Sequence, residues 1–120
     1  PDCGGTWFLP HKIGTARATE MMLLGRQLTA TEAEQLGLVT EVSPEETFDE
    51  VLAATVNQVS NGPTRAFGAF RRLVDDASGR SLEIHLEAER QAFLTASETA
   101  DFAEGVSAFL AKRPAAFSGQ

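Results

Sequence analysis

TATEAEQLGLVTEVSPEE, residues 29–46, holds two helix starts with one short apolar run between them. Thr29 and Glu32 have the spacing of a capping box, in which each side chain bonds the other residue's backbone N–H. The helix this box opens is short, because Leu36-Gly37 closes it. Leu38-Val39-Thr40-Glu41-Val42 then reads as a strand. Ser43-Pro44-Glu45-Glu46 repeats the box, with proline at the first helical position. A lone strand cannot satisfy its own ladder groups, and no other segment makes a convincing strand. Leu38–Val42 is therefore expected to pair with chain outside residues 1–120 or to stay solitary, in a chain that is otherwise mostly α.

Outward toward the C-terminus, apolar residues recur at helical spacing. Phe48, Val51, Leu52 and Val59 line one helix, and Asn61-Gly62-Pro63 stops it. Ala66, Phe67, Phe70, Leu73 and Val74 share one side of the next, which Ser78-Gly79 breaks. Ser81 caps a helix carrying Leu82, Leu86 and Phe93. Thr99 caps the last, with Asp101 favouring its dipole and Phe102, Val106, Phe109 and Leu110 following. Lys112-Arg113 sits at its end and Pro114 terminates it. Toward the N-terminus, Thr15 can cap a helix running to Leu24, with Gly25 just past it. Residues 1–14 read as a turn-forming group, PDCGG, followed by the apolar patch Trp7-Phe8-Leu9. The expectation is six helices, one strand and no repeat. Residues 1–42 and 43–120 form its two parts, and the first residue, Pro1, reads as a cut through a larger fold.

The net charge of −7 argues against a broad nucleic-acid or anionic-membrane face, either of which needs clustered cations. No apolar run approaches the ~18 residues needed to span a bilayer. Cys3 has no partner cysteine, which fits a reducing, cytoplasmic compartment. No metal-ligand spacing is present. His11 and His85 read as structural or surface residues, and Glu83, Glu87 and Glu89 as a solvated face. Asp2 stands apart. It precedes a glycine pair and an apolar helix start, where backbone N–H groups can approach a ligand and a carboxylate can transfer protons. A plain turn aspartate is the alternative.

PDCGGTWFLPHKIGTARATEMMLLGRQLTATEAEQLGLVTEVSP resembles the middle of crotonase (enoyl-CoA hydratase/isomerase) superfamily proteins. The elements that carry the resemblance are Pro1, Gly4-Gly5-Thr6, Leu9, Gly14, Arg17-Ala18, Glu20, Leu23, Gly25, Ala30, Glu32-Ala33, Gly37-Leu38-Val39, Val42 and Pro44. Asp101, Glu104-Gly105, Ala108-Phe109, Lys112-Arg113 and Phe117 resemble the family's far end. PD.GG followed by TWFLP looks most like the isomerases of ring-epoxide phenylacetyl-CoA type.

The resemblance implies the C-terminal part of a ββα superhelix, followed by a helical region that builds trimers or hexamers. It implies acyl-CoA chemistry in which two backbone N–H groups, upstream of Pro1, stabilise an enolate-like oxyanion. It assigns catalysis to Asp2 and binding of the coenzyme A end to Phe109 and Lys112. Coenzyme A enters as part of the substrate, so no separate cofactor is implied. Several of Phe67, Phe70, Phe93, Phe102 and Phe109 are then expected to bury against a neighbouring subunit. The competing reading is a non-catalytic helical oligomerisation module.

Overall fold

The computed structural model describes residues 2–120. Its order is α1 (Gly5–Ile13), α2 (Thr15–Leu24), α3 (Ala30–Gln35), a 3-10 turn (Glu45–Thr47), α4 (Phe48–Ser60), α5 (Thr64–Ala77), α6 (Leu82–Ser97) and α7 (Ala100–Ala111). The chain divides into two compact units, one ending at Asp49 and the other Glu50–Gln120.

In the first unit α1 packs on α2, with Ile13 and Ala18 buried. The six expected helices do not include α1: an apolar helix start is read after Gly4-Gly5, but the glycine pair and Pro10 argue against a continuous helix there. Pro10 lies inside the helix, where it has no N–H to give to the preceding turn. Packing against α2 outweighs that poor local propensity. Gly14 joins the two helices at φ 83°, in the left-handed region. It is the N-cap of α2, so Thr15 is the first helical residue and not the cap.

The Thr29–Glu32 box forms as expected. Glu32 N–H donates to Thr29 Oγ1 at 3.2 Å, and Thr29 N–H donates to Glu32 Oε2 at 2.8 Å. Among the described residues there is no strand, so the strand expected at Leu38–Val42 is not there. The reason lies in its donors. Gly37 turns left-handed (φ 72°) and closes α3 in a Schellman arrangement: Gly37 N–H bonds Glu34 O at 2.9 Å and Leu38 N–H bonds Ala33 O at 2.8 Å. Val39 N–H also reaches Ala33 O, at 3.4 Å, and Val42 N–H donates to Glu34 Oε1 at 3.0 Å. Three amides that a ladder would need are spent on α3 and its flank. The second expected box, at Ser43, also fails to form. Pro44 is extended (ψ 150°) and is itself the cap of the 3-10 turn, with no side-chain capping bond. Ser43 therefore stands one residue too far upstream.

In the second unit α5 packs on α6 and α6 on α7. Ser81 and Thr99 cap α6 and α7 as read from sequence, accepting from Ile84 N–H and Phe102 N–H. Phe93 and Phe102 meet edge to face, ring centres 5.9 Å apart. The phenylalanines do not form an intrachain core: Phe67, Phe70, Phe93, Phe102 and Phe109 all remain exposed. Ala108 is buried, and so is one carboxylate, Asp101.

Candidate functional site

Asp2 sits on a left-handed pair. Cys3 has φ 49° and Gly4 φ 83°, and Gly5 N–H returns to Asp2 O at 2.8 Å, closing the turn that starts α1. Glycine suits position 4 for two reasons. Its φ disfavours a side chain, and a Cβ would stand 2.9 Å from Phe8 Cε2. Cys3 adopts the same region without that licence, a conformation that costs an L-residue about 1–2 kcal/mol. Asp2 is exposed, just before the N-terminal end of α1. The apolar wall read from Trp7-Phe8-Leu9 is open in this chain, since Trp7 and Phe8 are each 60% exposed. Trp7 stacks at a tilt on His11 (4.6 Å), whose Nδ1 bonds Trp7 O at 2.6 Å. Pro1, the residue before Asp2, lies outside the described residues.

The other two candidate residues come together at the end of α7. Phe109 is 83% exposed and borders an apolar groove of about 360 Å³ with Ala66, Phe102, Val106 and Phe117. Lys112 follows as the cap, exposed, at φ 51° and ψ 42°. Glycine is the usual residue in this position. Here a lysine takes it, and the cap bonds are complete: Lys112 N–H to Phe109 O at 3.2 Å and Arg113 N–H to Ala108 O at 3.1 Å.

Beyond Lys112 the chain runs back along α7, held by two carboxylates one turn apart. The Arg113 guanidinium grips Glu104 with two prongs, Nη1 to Oε1 at 2.6 Å and Nη2 to Oε2 at 2.8 Å. Ala116 N–H adds a third bond to Glu104 Oε1 at 2.8 Å. These donors, Arg113 first, hold the Glu104 carboxyl down at about 2. Asp101, 4% exposed, accepts Ser118 N–H at 2.6 Å on Oδ1 and Gly119 N–H at 2.9 Å on Oδ2. Its own N–H bonds Gln120 O at 3.1 Å. Phe117 lies over Gly105, 3.5 Å from where a Cβ would stand. Sequence reading gave Asp101 only a helix-dipole role and Arg113 only a cation's place at the helix end. The signal for more was the D-x-x-E spacing, which sets both carboxylates on one face facing a tail rich in free N–H groups.

His85 faces Glu89 at 3.6 Å, and Glu87 is taken up by Arg90 and Gln91. Among the described residues no cluster of His, Cys, Asp and Glu could hold a metal, and no helix is long and apolar enough to cross a membrane.

The profile of the family described as enoyl-CoA hydratase/isomerase matches residues 1–120. The chain is 39% identical over 120 residues to the 1,2-epoxyphenylacetyl-CoA isomerase of Escherichia coli K12, covering all of this chain and 46% of that protein. It is 33% identical to the 2,3-dehydroadipyl-CoA hydratase of the same organism, covering all of this chain and 47% of the relative. Among solved structures, an enoyl-CoA hydratase subunit from Geobacillus kaustophilus HTA426 superposes with a TM-score of 0.94 at 33% identity, over 100% of this chain and 47% of that one. The chain thus spans about half the length of these relatives.

Proposed function

Since the chain belongs to the enoyl-CoA hydratase/isomerase family, we propose that the intact protein is an acyl-CoA isomerase of enolate type, with Asp2 as its proton-transfer residue. The observation that carries this reading is the aspartate itself, presented on the Cys3-Gly4 turn at the start of α1. The 39% identity to an isomerase of 1,2-epoxyphenylacetyl-CoA supports acyl-CoA chemistry, and the aspartate before Gly4-Gly5 is what favours isomerisation. In this reading, residues 1–42 close the ββα core and residues 43–120 form the helical assembly region. The oxyanion-hole donors lie outside residues 1–120. They stabilise the thioester oxygen as it gains charge, while Asp2 moves a proton at the acyl carbons beside it.

The nucleotide end of the coenzyme is assigned to Phe109 and Lys112. An exposed ring face can stack on a heterocycle, and a mobile ammonium suits a phosphate. The exposed phenylalanines support assembly as a trimer or hexamer, in which such faces become interface. The compartment proposed is the cytoplasm, and the metabolic setting that of fatty acids.

Asp2→Asn tests the catalytic assignment, because it keeps the size and removes the titration. Loss of a positioned acid/base costs about 100- to 10,000-fold in rate. A variant of the intact protein that kept more than about a third of wild-type turnover would return Asp2 to the rank of a turn residue.

The competing reading, a non-catalytic helical oligomerisation module, draws on the same exposed aromatic faces. It predicts an intact protein that assembles but turns over no acyl-CoA thioester.

A further inference from the structure

Lys112 stands at the apex of a chain reversal, in a backbone conformation that lysine seldom adopts. Something must hold it there, and the holding groups are on both sides of it. Before it, Glu104 is set by α7; after it, Arg113 and Ala116 both reach back to that one carboxylate. Cutting the link would leave α7 and the Asp101 anchor of residues 118–120 in place, and would loosen residues 112–116 between them. The lysine ammonium, on its long flexible stem, would then sweep a wide volume.

We propose that Glu104 and Arg113 are positioning residues for coenzyme A, fixing the Lys112 backbone so that its ammonium stays where a phosphate of the nucleotide end is met. This rests on the reading of Lys112 as a phosphate ligand. Neither Glu104 nor Arg113 needs to touch the ligand. The two charges neutralise each other, and the carboxylate's acceptors are turned onto the tail. Their contribution is pre-organisation: a ligand that meets a binding-competent state only part of the time binds more weakly by that fraction.

The test measures binding of two probes to the intact protein by calorimetry: acetyl-CoA, and S-acetylpantetheine, which lacks the nucleotide and every phosphate. Glu104→Gln is expected to weaken acetyl-CoA by about 3- to 10-fold, as for a competent fraction reduced to about a tenth to a third. Binding of S-acetylpantetheine should stay within about twofold, whereas a general loss of structure would weaken both probes. Lys112→Ala should weaken acetyl-CoA alone. The double variant should bind no more weakly than Lys112→Ala, since Glu104 acts through the lysine and coupled residues do not add.

If Lys112→Ala leaves acetyl-CoA binding unchanged, the phosphate reading falls and this inference with it. If Lys112→Ala weakens acetyl-CoA but Glu104→Gln does not, or the two losses add in full, the reading stands and the positioning role is overturned. Should Glu104→Gln fail to fold, Arg113→Lys keeps the cation and removes the two-pronged grip. The same selective loss is expected of it, and wild-type affinity would overturn the proposal.

Discussion

Replacing Asp101 by asparagine should release the tail from α7. The carboxylate uses both oxygens, Oδ1 for Ser118 N–H and Oδ2 for Gly119 N–H. Asparagine has the same volume but only one carbonyl oxygen. Whichever way the amide turns, its NH₂ faces one of the two tail N–H groups, donor against donor. One charge-assisted bond is lost, about 1.5–3 kcal/mol. A first-turn carboxylate at the positive end of α7 is lost as well, about 0.3–1 kcal/mol. Together the tail is loosened by about 2–4 kcal/mol. The effect is local, so amide hydrogen exchange is the assay. With tenfold per 1.4 kcal/mol, Ser118 and Gly119 should exchange about 30- to 700-fold faster in Asp101→Asn. Amides at the centre of α6 should be unaffected. An acceleration below about threefold at Ser118 and Gly119 would show that these bonds do not hold the tail, and the reasoning would fail.

Three more outcomes follow from the same geometry. Gly4→Ala forces a Cβ toward the Phe8 ring in a left-handed backbone, at about 1–2 kcal/mol; the Trp7 and Phe8 amides, both bonded to Gly4 O, should lose protection, and unchanged exchange there would contradict it. Thr29→Ala removes the α3 cap and should cost about 1 kcal/mol, seen as a lower denaturation midpoint, and an unchanged midpoint would count against the capping box. Glu104 is held at about 2 against an ordinary 4.5, so its folded value is depressed; its contribution is complete above 4.5 and is lost as pH falls toward 2. Carbon-detected titration of its carboxyl should find a midpoint near 2, and one near 4.5 would mean that the Arg113 grip is absent in solution.

Helices are legible in this sequence where a polar cap precedes a periodic apolar run. Thr29, Ser81 and Thr99 announce α3, α6 and α7, and Gly25 announces the end of α2. The reading failed where local preference was overruled. Leu38–Val42 has a strand's composition, but its amides are claimed by the close of α3, a competition between donors that residue preferences do not encode. Helix α1 hides behind Gly4-Gly5 and Pro10, because its support comes from α2. Asp2 stands out by its place before the glycine pair, and Phe109 and Lys112 only through the family resemblance, whereas the tail contacts of Asp101 and Glu104 depend on a reversal that no local pattern specifies. The left-handed lysine is the clearest case, since a glycine there would have signalled the turn.

Besides the side chains of Arg113 and Phe117, the tail is gripped through its main chain. Glu104 takes the N–H of Ala116, and Asp101 those of Ser118 and Gly119. Such a grip is nearly indifferent to what side chains the tail carries, so drift at positions 116 and 118 is tolerated as long as an N–H remains. Proline is the one substitution it refuses outright. Gly119 is the exception for a different reason, since a Cβ there would sit 2.8 Å from Thr64 Oγ1. Across related sequences the mark of this feature should be two fixed carboxylates on a helix, facing positions equivalent to 116 and 118 whose letters change freely but exclude proline.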